Sequence, residues 1–386
     1  MSGGNGLLKR VSGGDGQLKR VSGRYGLLKR VSGSNNGQLK RAIHEISDPS
    51  INSRIPPSKN YDVLQRRRAS RITKNKKICT EDVFKDGEVK KSSSWTKFQF
   101  LGKGTYGCVH MATRKGDKEK KKMAIKSADL SNASSLMHEK KILSRLVSPF
   151  VVGCYGHEIA REEFMLGHVR TNYNLILEYC SGKSLADLIK KNVRGLLEKD
   201  VKVFAKDILQ GLQYIHSQNI IHCDVKPDNI LLIPVDNRTK RNGFVTKIGD
   251  FGAALEKGSA EYGDGSGHHR GTARYMAPEL ISHGILDYGV DIWAFGCTVL
   301  EMLIGQAPSG ANVDLNDPVD WYSIIGRRCV VPYIPSWLSV ETQDFLRRCL
   351  VKEARGRWPI SALLNHSFLN LDVCLSNIGF MLLTDY

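Results

Sequence analysis

Three glycines spaced for close backbone approach stand in Leu101-Gly102-Lys103-Gly104-Thr105-Tyr106-Gly107-Cys108-Val109. A Gly-rich turn between two strands brings backbone N–H groups up to phosphates with no side chains in the way. Phosphate binding is therefore the first chemistry on offer, although Gly-rich hairpins also occur without ligands. Met123-Ala124-Ile125-Lys126 follows as a short apolar strand ending in a lysine, and a buried lysine requires a counter-charge. Glu139 can supply it, because it lies at i+3 on the stripe marked by Leu136, Leu143 and Leu146 and a carboxylate among core leucines is costly unless paired. The alternative is a solvated Glu139 on a rotated helix. Farther along, His222-Cys223-Asp224-Val225-Lys226-Pro227-Asp228-Asn229-Ile230-Leu231-Leu232 sets Asp224, Lys226 and Asn229 at i, i+2 and i+5 between apolar residues. Lys247-Ile248-Gly249-Asp250-Phe251-Gly252 again ends an apolar strand in an acid. His222 with Cys223 could suggest a thiol nucleophile or a metal site, but no His or Cys partner follows at ligand spacing, so His222 reads as a core histidine.

These groups need elements to hold them. Phe98, Phe100, Val109 and Met111 alternate with polar neighbours, the period of a half-buried strand pair around the glycines. Strand residues follow the glycines where a Rossmann turn would open a helix, which argues against that reading. The leucine spacing predicts a helix over roughly 132–146. Asn174-Leu175-Ile176-Leu177-Glu178-Tyr179-Cys180 reads as an apolar strand leading to a helix near Ser184. Val201, Phe204, Ala205, Ile208, Leu212 and Ile215 keep a 3.6-residue period through a longer helix over about 198–217.

Taken in order, G-x-G-x-x-G-x-V, Ala-Ile-Lys, a helix Glu, H-x-D-x-K-x-x-N, D-F-G and Ala277-Pro278-Glu279 resemble the eukaryotic protein kinase family. The resemblance spans about 96–369 and implies an α+β, bilobal protein kinase fold: a small, mostly β N-lobe and a larger helical C-lobe. It implies ATP and Mg2+ as cofactors. Gly102, Gly104 and Gly107 would cover the phosphates, and Lys126, held by Glu139, would contact them. Asp224 would be the catalytic base, Lys226 would steady the γ-phosphate, and Asn229 and Asp250 would hold magnesium. The nucleotide would lie among Leu101, Val109, Ala124 and Leu231, with hydrogen bonds to the backbone of Glu178 and Cys180 and with Leu177 as gatekeeper. Leu143, His222 and Phe251 would link the lobes by packing, and Arg357 would be the buried partner of Glu279. Cys108 and Cys180 would line the pocket, which makes alkylation a route to inhibition.

Lys226 and Gly271-Thr272-Ala273-Arg274-Tyr275-Met276 resemble serine/threonine kinases, which frame a Ser or Thr hydroxyl with that Lys and Thr. Cys223 departs from the family, where Arg usually gathers a phosphorylated activation loop; a cysteine cannot make those charge-assisted bonds. Activity is therefore expected not to depend strictly on phosphorylation of Ser259, Ser266 or Thr272 by that route. The texture around Asn174–Leu185 and Asp291–Met302 is similar to plant mitogen-activated protein (MAP) kinase kinase kinases of the MEKK-like group, which implies MAP kinase kinases as substrates. Ala273 replaces the usual Pro, which bears on substrate choice. A catalytically weak kinase-fold scaffold and a Ser/Thr kinase outside that cascade are the alternative readings. Segments 159–173 and 234–242 are expected to be surface insertions.

The chain has 386 residues, 41% hydrophobic, and a net charge of +18. Residues 1–95 hold 21 basic and 8 acidic residues, a net of +13, which leaves +5 for the remainder. That division argues against a wholly basic nucleic-acid-wrapping domain and leaves a basic arm on a nearly balanced globule, although few aromatics interleave with the arm's charges. Nine cysteines without C-x-x-C spacing read as free thiols. No run approaches the roughly 18 apolar residues of a membrane span. Cytoplasmic residence is the expectation, with nuclear entry if Arg66-Arg67-Arg68 and 74–77 act as a split import signal. Residues 1–95 are expected to be a disordered basic tail with a ten-residue repeat, 96–369 the kinase domain and 370–386 a C-terminal extension. Within the repeat, Ser12, Ser22 and Ser32 each follow Lys-Arg-Val, and Ser70 follows Arg66-Arg67-Arg68-Ala69. Upstream basophilic kinases are the expected partners there, against a bland reading of solvated repeats.

Overall fold

The computed structural model describes residues 89–104, 107–163, 169–236, 242–259, 262, 270–308 and 331–370. The repeat, Ser12, Ser22, Ser32, Ser70, the basic stretch at 66–77 and residues 371–386 lie outside them. Five strands make an antiparallel sheet in the order β1-β2-β3-β5-β4. They are β1 (Trp95–Gly104), β2 (Gly107–Arg114), β3 (Lys122–Asp129), β4 (Cys154–Glu163) and β5 (Val169–Glu178). Helix α1 (Ser134–Leu143) follows β3 and buries Leu136, Glu139, Ile142 and Leu143. It is shorter than the expected 132–146, because residues 130–132 form a separate 3-10 turn after Asp129.

Two expectations for this lobe are corrected. Phe98 and Phe100 are 57% and 55% exposed. β1 shifts register between Lys97 and Phe100 and again between Phe100 and Gly102, and each slip breaks the alternation that would turn both rings inward. Residues 159–173 are not a surface insertion. Residues 159–163 and 169–173 are the outer halves of β4 and β5, paired from Ile159↔Tyr173 to Glu163↔Val169, with Ile159, Ala160, Asn172 and Tyr173 buried, and 164–168 lie outside the described residues. The second segment expected as an insertion, 234–242, connects β7 to β8, and its residues 237–241 lie outside the described ones.

The described residues also include the last ones expected in the tail. Lys90 bridges Ala160 in parallel, and the buried Glu158 carboxylate accepts from Lys90 Nζ at 2.9 Å, Ser93 Oγ at 2.8 Å and Ser94 N at 3.0 Å. Those bonds outweigh burial and hold the Glu158 carboxyl below the usual range.

The helical part is built on α3 (Glu198–Ser217) and α5 (Gly289–Ile304). All six apolar residues read as the α3 stripe are at most 1% exposed. From Val290 to Leu303 every residue of α5 is buried, the pattern of a helix surrounded by core. Between these helices lie β6 (Ile220–Ile221), β7 (Ile230–Pro234), β8 (Phe244–Ile248), β9 (Leu255–Glu256) and α4 (Pro278–His283). α2 (Leu185–Lys191) starts at a capping box in which Ser184 and Asp187 satisfy each other's backbone N–H. α6 (Val340–Cys349) is capped by Ser339, and α7 (Ile360–Leu364) follows. Arg357 grips Glu279 through two bonds of 2.6 and 2.7 Å. No helix among the described residues is long and apolar enough to cross a membrane.

Candidate active site

β3 delivers Lys126 to the inner side of the sheet, opposite Leu175 of β5. Its ammonium lies 2.7 Å from Glu139 Oε2 and 2.8 Å from Asp250 Oδ1. Burial alone would depress this lysine, but the two carboxylates more than reverse it and raise its pKa above the ordinary value. Burial pushes the fully buried Glu139 up, with the Lys126 charge opposing. The second Glu139 oxygen accepts from Phe251 N at 3.2 Å, so α1 grips both the lysine and the chain after Asp250. Asp250 adopts the left-handed conformation at φ 58°. Burial would raise its carboxyl, yet Lys126 holds it below the usual aspartate range.

The second cluster is more local. Asp224 Oδ2 accepts from Lys226 Nζ at 2.8 Å and Asn229 Nδ2 at 3.0 Å. Asp224 Oδ1 accepts from the Thr272 hydroxyl at 2.8 Å, and that hydroxyl in turn accepts from Lys226. Asn229 Nδ2 also donates to the Asp224 carbonyl at 2.8 Å. With its amide nitrogen committed, the Asn229 Oδ1 is turned away as an acceptor. Both hydrogen bonds to Asp250 fall on Oδ1, which leaves Oδ2 to accept. Amide and carboxylate oxygens of this kind fit a hard divalent cation.

The loop carrying Asp224 hangs from α5. Asp291, fully buried, accepts from His222 N at 2.8 Å, Cys223 N at 2.9 Å and His216 Nε2 at 2.8 Å. Cys223 sits at φ +65°, a conformation costly for a non-glycine residue, and the two bonds to Asp291 hold it there. Its thiol is buried, and burial pushes its pKa up. Both His222 nitrogens are engaged: Nδ1 receives Asp224 N at 3.3 Å and Nε2 meets Gly249 O at 3.1 Å. The His222 ring packs edge-on against Phe251 with centroids 4.8 Å apart, and Leu143 lies in the same core. These contacts account for His222 as a core residue without any ligand.

The expected nucleotide residues fall around these clusters. A Cβ at Gly107 would lie 2.1 Å from the Ser127 carbonyl oxygen, so glycine alone permits β2 to run this close to β3. At Gly104 a Cβ would lie 3.6 Å from Lys126 Cε, which places this end of the turn beside the lysine, while Gly102 lies next to it in β1, paired with Val109. Ala124 is buried opposite Leu177, Val109 and Leu231 are half-buried against the core, and Leu101 is largely exposed. Cys180 is buried, and burial pushes its thiol up to about 12, which makes it a poor nucleophile for alkylation. Glu178 has a further task that sequence reasoning did not find: its Oε2 accepts from Gly153 N at 2.9 Å and pairs with Lys247 at 3.0 Å. The anchoring role of Asp291 was also missed. The available signal was an acid inside the apolar run from Val290 to Leu303.

A two-lobed fold whose cleft brings a glycine turn, a carboxylate-bound lysine and an Asp-Lys-Asn loop together defines a phosphotransfer enzyme. The protein kinase domain family model matches residues 95–369, and the chain belongs to that family. It is 39% identical over 279 residues to mitogen-activated protein kinase kinase kinase 18 of Arabidopsis thaliana, covering 72% of this chain and 77% of the relative. Similarity to kinase kinase kinase 17 of the same plant is 36% over 71% of this chain and 69% of the relative. For kinase kinase kinase 20 it is 36% over 72% and 79%. The chain is a serine/threonine protein kinase resembling these plant enzymes.

Proposed function

We propose that this kinase is a MAP kinase kinase kinase, transferring the γ-phosphate of ATP to Ser or Thr of MAP kinase kinases. The observation that carries the reading is the simultaneous assembly of the Lys126–Glu139–Asp250 and Asp224–Lys226–Thr272 clusters. A scaffold has no use for charges so placed, and the names of the similar plant proteins supply the substrate class.

Phosphoryl transfer depends on positioning and charge neutralisation. Asn229 and Asp250 would hold the magnesium ion, whose charge offsets that of the phosphates. Lys126 would fix the α- and β-phosphates, and Gly102, Gly104 and Gly107 would cover them with backbone N–H groups. Leu101, Val109, Ala124 and Leu231 would hold the adenine, with the backbone of Glu178 and Cys180 supplying its hydrogen bonds. Asp224 receives the proton of the incoming Ser or Thr hydroxyl. Its Oδ1 already accepts from Thr272, which with Lys226 frames the position of the incoming hydroxyl. Lys226 then balances charge at the γ-phosphate.

The test is phosphorylation of a catalytically dead MAP kinase kinase by purified full-length protein, with Asp224→Asn and Lys126→Met as controls. Incorporation of phosphate by wild type and loss in both controls supports the proposal. Activity on general Ser/Thr substrates, with none on MAP kinase kinases, would move the enzyme outside the cascade.

A further inference from the structure

α1 carries Glu139 on its inner face and a basic cleft on its outer one. Met137, His138, Lys140, Lys141, Ser144 and Arg145 line about 500 Å³ of open space there. Met137 is half-buried and gives the cleft an apolar floor, while Lys141 and Ser144 are exposed. Two of the lining residues also reach the segment after Asp250: Arg145 binds Glu256 bidentately at 3.0 Å, and His138 Nε2 lies 2.8 Å from the Ala254 carbonyl. Anything seated in the cleft therefore bears on the helix that sets Glu139 and on the chain leaving Asp250.

The charge of the N-terminal arm reverses just before the described residues begin. Glu81-Asp82-Val83-Phe84-Lys85-Asp86-Gly87-Glu88 contains four of the eight acidic residues in 1–95 and a single base. This octapeptide lies outside the described residues and joins them at Val89, which packs against the core. Lys90 runs parallel to β4 opposite Ala160. A parallel approach comes from the side of Cys154, the first residue of β4. α1 packs directly against β4, so the helix that carries the cleft lies beside that strand. Eight residues reach up to about 27 Å, ample for one helix face. Val83 and Phe84 supply apolar surface for Met137, and the carboxylates match the lysines. Because the segment is tethered, weak contacts suffice: a short linker sets a local concentration on the order of millimolar.

We propose that residues 81–88 dock in the outer cleft of α1, apolar pair on Met137 and carboxylates toward Lys140 and Lys141, and hold the helix where Glu139 meets Lys126. The acidic octapeptide is thus an intramolecular strut, distinct from the basic repeat that precedes it. Occupancy stiffens α1, and its loss frees the helix to swing Glu139 away.

Hydrogen exchange read by mass spectrometry tests this without any substrate, so the outcome is independent of which proteins the kinase phosphorylates. Removing residues 1–80 should leave exchange across 134–143 unchanged, and removing 1–88 should accelerate it about tenfold. In the full-length chain, Val83→Ala with Phe84→Ala should reproduce the acceleration. Lys141→Glu should do so as well, and pairing it with Asp82→Lys should restore protection. Equal exchange in the two truncations, or no effect of the Val83/Phe84 pair, overturns the proposal. Carbodiimide cross-linking of mixed light and heavy protein gives a second reading. Links from 81–86 to Lys141 within one chain support the strut; links only between light and heavy copies assign the cleft to a second copy and overturn it.

Discussion

Lys126 takes its partners from α1 and from the end of β8, two elements that no short stretch of chain connects, at 2.7 and 2.8 Å. Asp224 takes two of its partners from two and five residues away, and its loop is suspended from Asp291 inside the core helix α5. Moving α1 by a few ångströms would dismantle the first cluster and leave the second intact. The lysine site is therefore the adjustable half of the machinery, and the Asp224 loop is the fixed half, as rigid as the core that carries it.

Direct removal of the reacting groups should give the largest effects. Asp224→Asn should lower phosphotransfer about 10³-fold and Lys126→Met by a similar factor, each without loss of the melting transition; retained activity in either would break the assignment of roles. The fixed half is attacked next through Asp291. Asp291→Ala leaves two buried N–H groups without an acceptor, at about 1–3 kcal/mol each, and should lower the denaturation midpoint together with activity. Acid adds a sign to this. Burial would raise the Asp291 carboxyl, but the hydrogen bond and charge of His216 and the His222 N–H hold it below the ordinary aspartate value. Its stabilisation is thus complete above the unfolded value of about 3.9 and is lost as pH falls through the lower folded value. Acid unfolding of Asp291→Asn should be less steep than wild type below that pH.

Glu139→Gln probes the adjustable half. Asp250 still holds Lys126 at 2.8 Å, so activity should fall about 10²-fold or less, with stability changed little. A loss as deep as that of Lys126→Met would show that the two carboxylates are not independent. The smallest effect is expected from Ser259→Ala with Ser266→Ala. Cys223 is a buried thiol whose backbone, not its side chain, is bound to Asp291, and it offers no cation to a phosphate. Activity of purified double variant should stay within about twofold of wild type; abolition would reveal another phosphate-binding route.

Much of this site is legible in the chain. A lysine closing the apolar run Met123-Ala124-Ile125 and a glutamate on a leucine stripe can be paired from burial cost alone, and the pair lies at 2.7 Å. The α3 stripe is equally plain, since a helix buried on one side repeats every 3.6 residues. Legibility fails where a neighbour overrides a local pattern. Phe98 and Phe100 alternate like inward residues, yet bulges that form only against β2 expose them. Residues 159–173 look like an insertion because their apolar positions are buried by the N-terminal strap and by the pairing of β5 with β3, tens of residues earlier in the chain.

The sequence by itself determined the inventory: which residues carry charge, where the glycine turn lies, and where Cys223 leaves the family pattern. Those depend on residue type and short-range spacing, which the chain states directly. Tertiary structure alone decided that Asp291 carries the Asp224 loop, that Glu178 is tied to Lys247, and that α1 presents a basic cleft outward. Each joins groups separated by tens of residues, and such contacts are fixed by packing against a common core rather than by any local periodicity.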